Sequence, residues 1–194
     1  DFFRGDDGNS SVVPAVAAGF VGVMSLANMA GRFVWSSTSD VIGRKPIYMI
    51  YLGVGALAYV TLALWGSTAM WLFVLLAFII LSFYGGGFAT IPAYLKDMFG
   101  TYQVGAIHGR LLTAWSVAGV LGPLIVNGML DMQGAPGTMT AENYQPVLLT
   151  MVGLLVIGFV ANLLVRPVNE KWHESDEKMQ ELREQEAAAA KEAN

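Results

Sequence analysis

Fifty consecutive residues, from Pro46 to Leu95, contain no Lys, Arg, Asp or Glu. Soluble domains carry about 25% charged residues, whereas an apolar run of 18 residues or more is typical of a membrane-spanning helix. Only 13% of the whole chain is charged, and half of those charges lie between Arg166 and the end. The sequence therefore predicts a membrane protein with a charged tail. It excludes an ordinary soluble enzyme, a disordered chain, a disulfide scaffold and a basic nucleic-acid-binding protein.

The apolar segments predict five membrane helices. The fifty-residue run is too long for one span, and it divides at a short polar turn between Trp65 and Trp71, because tryptophan prefers the membrane interface. The predicted spans are residues 14–37, 47–64, 71–94, 104–130 and 146–165. Together they make a membrane domain over residues 14–166, with an outer segment 1–13 and an acidic tail 167–194. The predicted fold class is all-α, a polytopic membrane helix bundle.

Lys and Arg side chains predict the direction of the spans. They are concentrated in the loop after the first span, in the loop after the third span, and in the tail. The loops at the opposite side hold almost no cation. Since basic residues favour the cytoplasmic side, we expect the tail to be cytoplasmic and residues 1–13 to be outside.

The loop after the first span carries a recognisable motif. It contains Asp40, Gly43, Arg44 and Lys45, and it resembles the signature loop of the major facilitator superfamily. Gly43 permits a sharp turn between two helices. Asp40 and Arg44 are predicted to pair in one conformational state and separate in another, as a latch. The alternative is a short basic loop that only sets the topology.

The third and fourth spans extend this resemblance. Residues 84–100 and 104–123 are similar to the oxalate–formate antiporter family and to related bacterial monocarboxylate transporters of the lactate type. The resemblance implies helices eight to twelve of a twelve-helix transporter in a bacterial cytoplasmic membrane. Its implied partners are a small carboxylate substrate, the lipid bilayer, and an N-terminal half of the same transporter that is missing from this sequence.

Arg32 is the charged residue placed deepest in a predicted span. Such an arginine costs a few kcal/mol to insert and is a functional candidate by default. Ser25, Asn28 and Arg32 share one helical face, which should look into the bundle or a wet cavity. The resemblance implies that Arg32 binds the substrate carboxylate, with Asn28 and Ser25 above it on the same helix. The alternative is that Arg32 extends to the nearby membrane surface.

Further candidates come from the third and fourth spans. Phe83 and Tyr84 are predicted to wall a substrate cavity, and Trp115 either lines it or fills space. His108 is a conceivable proton-coupling group, but a solvated loop histidine is the favoured interpretation. Helix packing or kinking is predicted for a set of small residues and one proline: Gly85, Gly86, Gly87, Gly119, Gly122 and Pro123.

These features favour secondary active transport of a small organic anion by alternating access. A monocarboxylate such as lactate or formate is preferred over oxalate, because a dianion needs two cations and the related oxalate exchangers have a lysine near the position of Trp115. Antiport and proton symport both remain open. The alternative function is that of a truncated, non-transporting membrane protein or assembly partner. The sequence contains no zinc-ligand spacing, phosphate loop or nucleophile group, so we expect no enzyme activity, metal, cofactor or nucleic-acid partner.

Overall fold

The computed structural model describes residues 14–102, 104–134, 140–166, 168–169 and 176–192. In this part of the chain the structure is helical and has no β-strand, which confirms the all-α prediction. Its long helices are α1 (Pro14–Ile42), α2 (Arg44–Trp65), α3 (Met70–Phe99), α4 (Val104–Asp131), α5 (Gln145–Leu164) and α6 (Asp176–Glu192). A short 3₁₀ turn, Ala141–Tyr144, leads into α5. The predicted outer segment 1–13 lies outside the described residues.

Within the described residues, four helices are long and apolar enough to cross a membrane. They are α2, α3, α4 and the combined segment Ala141–Leu164. Helix α1 has 29 residues, which is sufficient length, but Ser25, Asn28 and Arg32 lower its hydropathy. Since α1 packs along α3 in the same bundle, the predicted count of five spans fits approximately. Most of the described part of the tail is the polar helix α6.

Two glycines bring α1 and α3 into direct backbone contact. A Cβ atom on Gly31 of α1 would overlap the backbone of Ser82 on α3. Reciprocally, a Cβ atom on Gly85 of α3 would overlap the backbone of Asn28 on α1. The missing side chains let the two helices approach closely, and the indole nitrogen of Trp35 donates a hydrogen bond to the Ser82 hydroxyl (3.2 Å) beside the crossing.

An aromatic core fills the space where α1, α2 and α3 meet. Ile47, Tyr51 and Phe83 are buried there, with Trp35 and Tyr48 packed against them. The Trp35 ring lies 5.1 Å from the Phe83 ring and 5.8 Å from the Tyr51 ring, measured between centroids in edge-on arrangements. Such geometry is favourable for aromatic pairs, so these rings stabilise the packing of the three helices.

Helix α4 is packed much less closely. Of its residues only Leu130 is buried, while most of the remainder is exposed in the described part of the chain. Its contacts include two aromatic contacts to α3 and a hydrogen bond from the Thr150 hydroxyl of α5 to the Met129 sulfur (3.6 Å), and it lies beside the cavity described below. The bundle therefore consists of a tightly joined group, α1, α2, α3 and α5, and one loosely attached helix.

Candidate functional site

Arg32 lies on α1 beside the helix crossing, with its side chain exposed. The guanidinium carbon is 5.4 Å from the centroid of the Phe88 ring on α3, which is a cation–π contact. Among the described residues no carboxylate forms an ion pair with Arg32. The side chain is thus oriented by an aromatic face, and its hydrogen-bond donors are available to an anion.

The two polar residues above Arg32 differ in their surroundings. Ser25 is exposed, and its hydroxyl donates a hydrogen bond to the Val21 carbonyl of its own helix (2.9 Å). Asn28 is half-buried, because its backbone forms one side of the contact with Gly85. Ser25 can donate to a carboxylate only by giving up this local hydrogen bond, whereas Arg32 can donate without such a change.

An aromatic wall links Arg32 to α4. The Trp115 ring of α4 lies 5.1 Å from the Phe88 ring and 5.4 Å from the Tyr84 ring, between centroids. Tyr84 is 51% exposed and Trp115 is 45% exposed, so neither ring is a buried core residue. Phe83, in contrast, is 8% exposed and belongs mainly to the aromatic core. Phe88 was missed by sequence reasoning, although its position four residues after Tyr84 places both on one helical face.

A cavity of about 530 Å³ lies between α2, α3 and α4, with one residue of α5 at its edge. It is bordered by the three predicted cavity residues Phe83, Tyr84 and Trp115, and also by Phe88. Arg32 does not border this cavity and stands on the α1 side of Phe88. The structure therefore has two adjoining regions, an exposed arginine face and an aromatic cavity, separated by the Phe88 ring.

His108 also borders the cavity, and its surroundings differ from the prediction. The favoured interpretation was a solvated loop histidine, and this is wrong, since His108 lies in the second turn of α4. Its Nδ1 atom is buried and has no hydrogen-bond partner in the described residues. The sequence signal was its spacing of seven residues from Trp115, which places both side chains on one face of α4.

The motif residues Asp40, Gly43 and Arg44 meet at one end of the bundle. Gly43 has φ +93°, a conformation that favours glycine, and it separates α1 from α2. Arg44 forms an ion pair with Asp40 and donates a hydrogen bond to the buried Ser39 hydroxyl. Its Nε atom is also 3.4 Å from a carboxylate oxygen of Asp97 at the end of α3. Arg44 thus connects the ends of α1 and α3, and the partner Asp97 was not predicted.

Lys45 makes a different set of contacts. Its ammonium group donates hydrogen bonds to the Leu163 and Val165 carbonyls, at 2.9 and 2.7 Å, where α5 ends. Asn162, which is buried, donates to the Lys45 carbonyl (3.3 Å) and accepts a hydrogen bond from the Tyr94 hydroxyl (3.2 Å). A cation at a helix C-terminus also interacts favourably with the helix dipole. Lys45 therefore joins α2 to α5 while Arg44 joins α1 to α3.

The glycines predicted to pack fall into two groups. Gly85 and Gly86 lie in close contacts, since a Cβ atom on Gly86 would be 2.6 Å from Trp35 Cβ and 2.7 Å from the Tyr51 hydroxyl. Gly87 is less restricted, with the Tyr51 ring 3.8 Å away. In the described part of the chain, nothing lies within 4 Å of a Cβ atom built on Gly119 or Gly122. Pro123 follows Gly122 inside α4.

The family assignment rests on a match over almost the full length of the chain. A family model described as Major Facilitator Superfamily matches residues 11–192. The chain belongs to this superfamily. It is accordingly a multi-pass membrane protein of a transporter family and not of an enzyme family. No significant match was found among curated proteins or among solved structures.

Proposed function

We propose that this chain takes part in secondary active transport of a small monocarboxylate, such as lactate or formate, by alternating access. The observation that carries the proposal is Arg32, an exposed arginine oriented by the Phe88 ring and free of acidic partners in the described residues. A guanidinium group suits a carboxylate because its donors match both carboxylate oxygens. Major facilitators as a family move solutes, so an anion-binding arginine is most simply a substrate contact.

The preference for one carboxylate follows from the number of cations. Helix α1 contains one arginine, Arg32, and no lysine, and residues 46–95 contain neither. Among the described residues that line the cavity, His108 is the only titratable nitrogen base. A dicarboxylate such as oxalate would leave its second charge beside Phe88, Tyr84 and Trp115. Burying an unpaired carboxylate costs several kcal/mol or more, so a monoanion is the better substrate.

Alternating access requires contacts that form in one state of the transporter and break in another. The Arg44 contacts to Asp40 and Asp97 join two helix ends, and they are suited to this because both acidic side chains are more than half exposed. We expect them to hold one state of the transporter, in which the ends of α1 and α3 are close. The proposed orientation places this end of the bundle and the tail in the bacterial cytoplasm.

The test is substrate uptake by the full-length protein in proteoliposomes. Arg32→Ala should abolish lactate or formate uptake, and Arg32→Lys should lower affinity about tenfold or more, because it loses the bidentate geometry worth about 1.5–3 kcal/mol. Arg110→Gln is the matched control, since it removes an exposed cation outside the site. Normal uptake by Arg32→Ala would contradict the proposal, and uptake of oxalate in preference to lactate would contradict the substrate class.

A further inference from the structure

We propose that the cavity between α2, α3 and α4 is a second ligand site, which takes an uncharged aromatic molecule with a hydrogen-bonding group. The cavity adjoins the Arg32 face across the Phe88 ring, and the proposal does not depend on a carboxylate being the transported substrate. It rests on three observations: the volume of the cavity, the chemistry of its lining, and the unpartnered polar atoms of His108 and Tyr51.

The volume is that of a site for a molecule larger than formate or lactate. Small-molecule pockets usually measure about 300–1,000 Å³, and this cavity of about 530 Å³ is in the middle of that range. A lactate ion would fill only a small part of it. The occupant therefore needs a body with at least the size of one or two aromatic rings.

The lining favours a flat, uncharged body. Seven aromatic side chains border the cavity, and the rest of the described lining is aliphatic or glycine except for His108. The aromatic set is Tyr48, Tyr51, Tyr59, Phe83, Tyr84, Phe88 and Trp115. Aromatic rings bind one another in stacked or edge-on arrangements, and a charged group would lose its hydration without gaining a partner here. An aromatic ligand without charge fits these walls.

Two lining residues supply polar contacts: the Tyr51 hydroxyl, which is buried without a partner in the described residues, and His108. The Nδ1 atom of His108 is buried at the cavity and has no partner among the described residues. A buried polar atom without a hydrogen bond costs about 1–3 kcal/mol, so a ligand that satisfies it recovers part of this energy. Each ring nitrogen of a neutral imidazole is either a donor or an acceptor, so a ligand hydroxyl, which can do both, suits either tautomer. A phenol-type molecule meets all three conditions.

The experiment compares 1-naphthol with naphthalene, which has the same rings but no hydroxyl. The chain has no cysteine, so Ala118→Cys provides one reporter thiol at the exposed edge of the cavity. The full-length protein in lipid nanodiscs is treated with a maleimide, and each ligand is titrated for protection of the thiol. We expect 1-naphthol to protect the thiol at a lower concentration than naphthalene. The ratio of the two protecting concentrations should be about 2- to 10-fold larger in the parent protein than in His108→Leu.

The ratio between the two proteins cancels the partitioning of each ligand into lipid, as in a double-mutant cycle. His108→Gln keeps a hydrogen-bonding side chain and should retain the preference for 1-naphthol. This second variant keeps the proposal testable if His108→Leu does not fold. Thiol protection and carboxylate uptake are separate measurements, so failure of the transport proposal does not produce failure here. Equal ratios in the parent and His108→Leu proteins, or absence of protection by either ligand, would overturn the site. Stronger protection by dodecanol than by 1-naphthol would overturn its aromatic class and identify a lipid-chain cavity.

Discussion

Glycines occur both at the α1–α3 crossing and along α4, but they have opposite surroundings. Gly31 and Gly85 lie directly against the backbone of the neighbouring helix, whereas Gly119 and Gly122 have open space beside them in the described structure. A pattern of small residues is therefore not evidence of close packing by itself. The difference indicates that α1 and α3 form one closely packed unit, while α4 is packed less closely in the described structure.

The polar contacts of Arg44 and Lys45 divide the helices in a similar way. Arg44 connects α1 with α3, and Lys45 connects α2 with α5. In the described part of the chain, this network includes no residue of α4. We therefore expect changes in the first group to affect the stability of the whole bundle, and changes in α4 to affect mainly its position.

Gly85→Leu should have the largest effect. Its side chain would collide with the backbone of Asn28, which cannot move aside without separating α1 from α3. We expect a loss of more than about 3 kcal/mol of stability, seen as loss of the monodisperse peak in detergent size-exclusion chromatography. Gly119→Leu is the matched control and should retain the peak. If both variants behave alike, the contrast between the two regions is wrong.

Lys45→Met should have the second largest effect. The substitution removes two hydrogen bonds to the last carbonyls of α5 but keeps an unbranched side chain of similar length. Because Lys45 is only half-buried, we expect a loss of about 1–2 kcal/mol, measured as a lower midpoint of thermal unfolding. Lys96→Met, which removes a cation from the end of α3, is the comparison. An equal change in both variants would show that only the net charge matters.

Asp40→Asn should have a smaller effect, on conformation and not on folding. The Asp40 carboxylate is 61% exposed, so its pair with Arg44 contributes on the order of 1 kcal/mol and shifts a two-state balance about fivefold. We expect slower uptake and altered labelling of a cysteine introduced by Ser37→Cys, with substrate affinity at Arg32 retained. Asp97→Asn should act in the same direction, since it shares Arg44. Unchanged rate and labelling in both variants would reduce the motif to a topology signal.

Gly119→Ala should have the smallest effect, and it should be stabilising. The added methyl group meets no atom within 4 Å in the described structure, and alanine is the better helix former. We expect a gain of about 0.5–1 kcal/mol, measured as a slightly higher thermal midpoint. Gly31→Ala is the matched change at the crossing and should be destabilising. A loss of stability in Gly119→Ala would indicate that another element packs against this part of α4.

Much of the architecture could be predicted because membrane helices impose a simple rule on sequence. A helix in lipid must be apolar over about 20 residues, so the charge-free runs indicated the spans without any knowledge of packing. The connection at Gly43 was also predictable, since a motif with a positive φ at a fixed glycine is local. Which helices pack closely was not predictable, because the glycines of α3 and α4 differ only in what lies beside them.

The site was predicted in part for the same reason. Arg32 is conspicuous because a charge in a membrane helix is rare and costly. Phe88, Asp97 and His108 are not conspicuous in the sequence, because their contacts are made by residues far away in the chain. Phe88 contacts Arg32, Asp97 lies beside Arg44, and His108 borders the cavity. Sequence periodicity gives the face of a helix but not the identity of its neighbour.

The contact between Lys45 and the end of α5 has a consequence for which residues can vary during evolution. The acceptors are the carbonyls of residues 163 and 165, which every amino acid carries, so only one side of the contact is encoded by a side chain. Leu163 and Val165 are therefore free to be replaced by other apolar residues without loss of the link. The Arg44 contacts, in contrast, need both an arginine and an acid, and a mutation of either partner removes them. Natural variation should accordingly be wider at residues 163 and 165 than at residues 40 and 97.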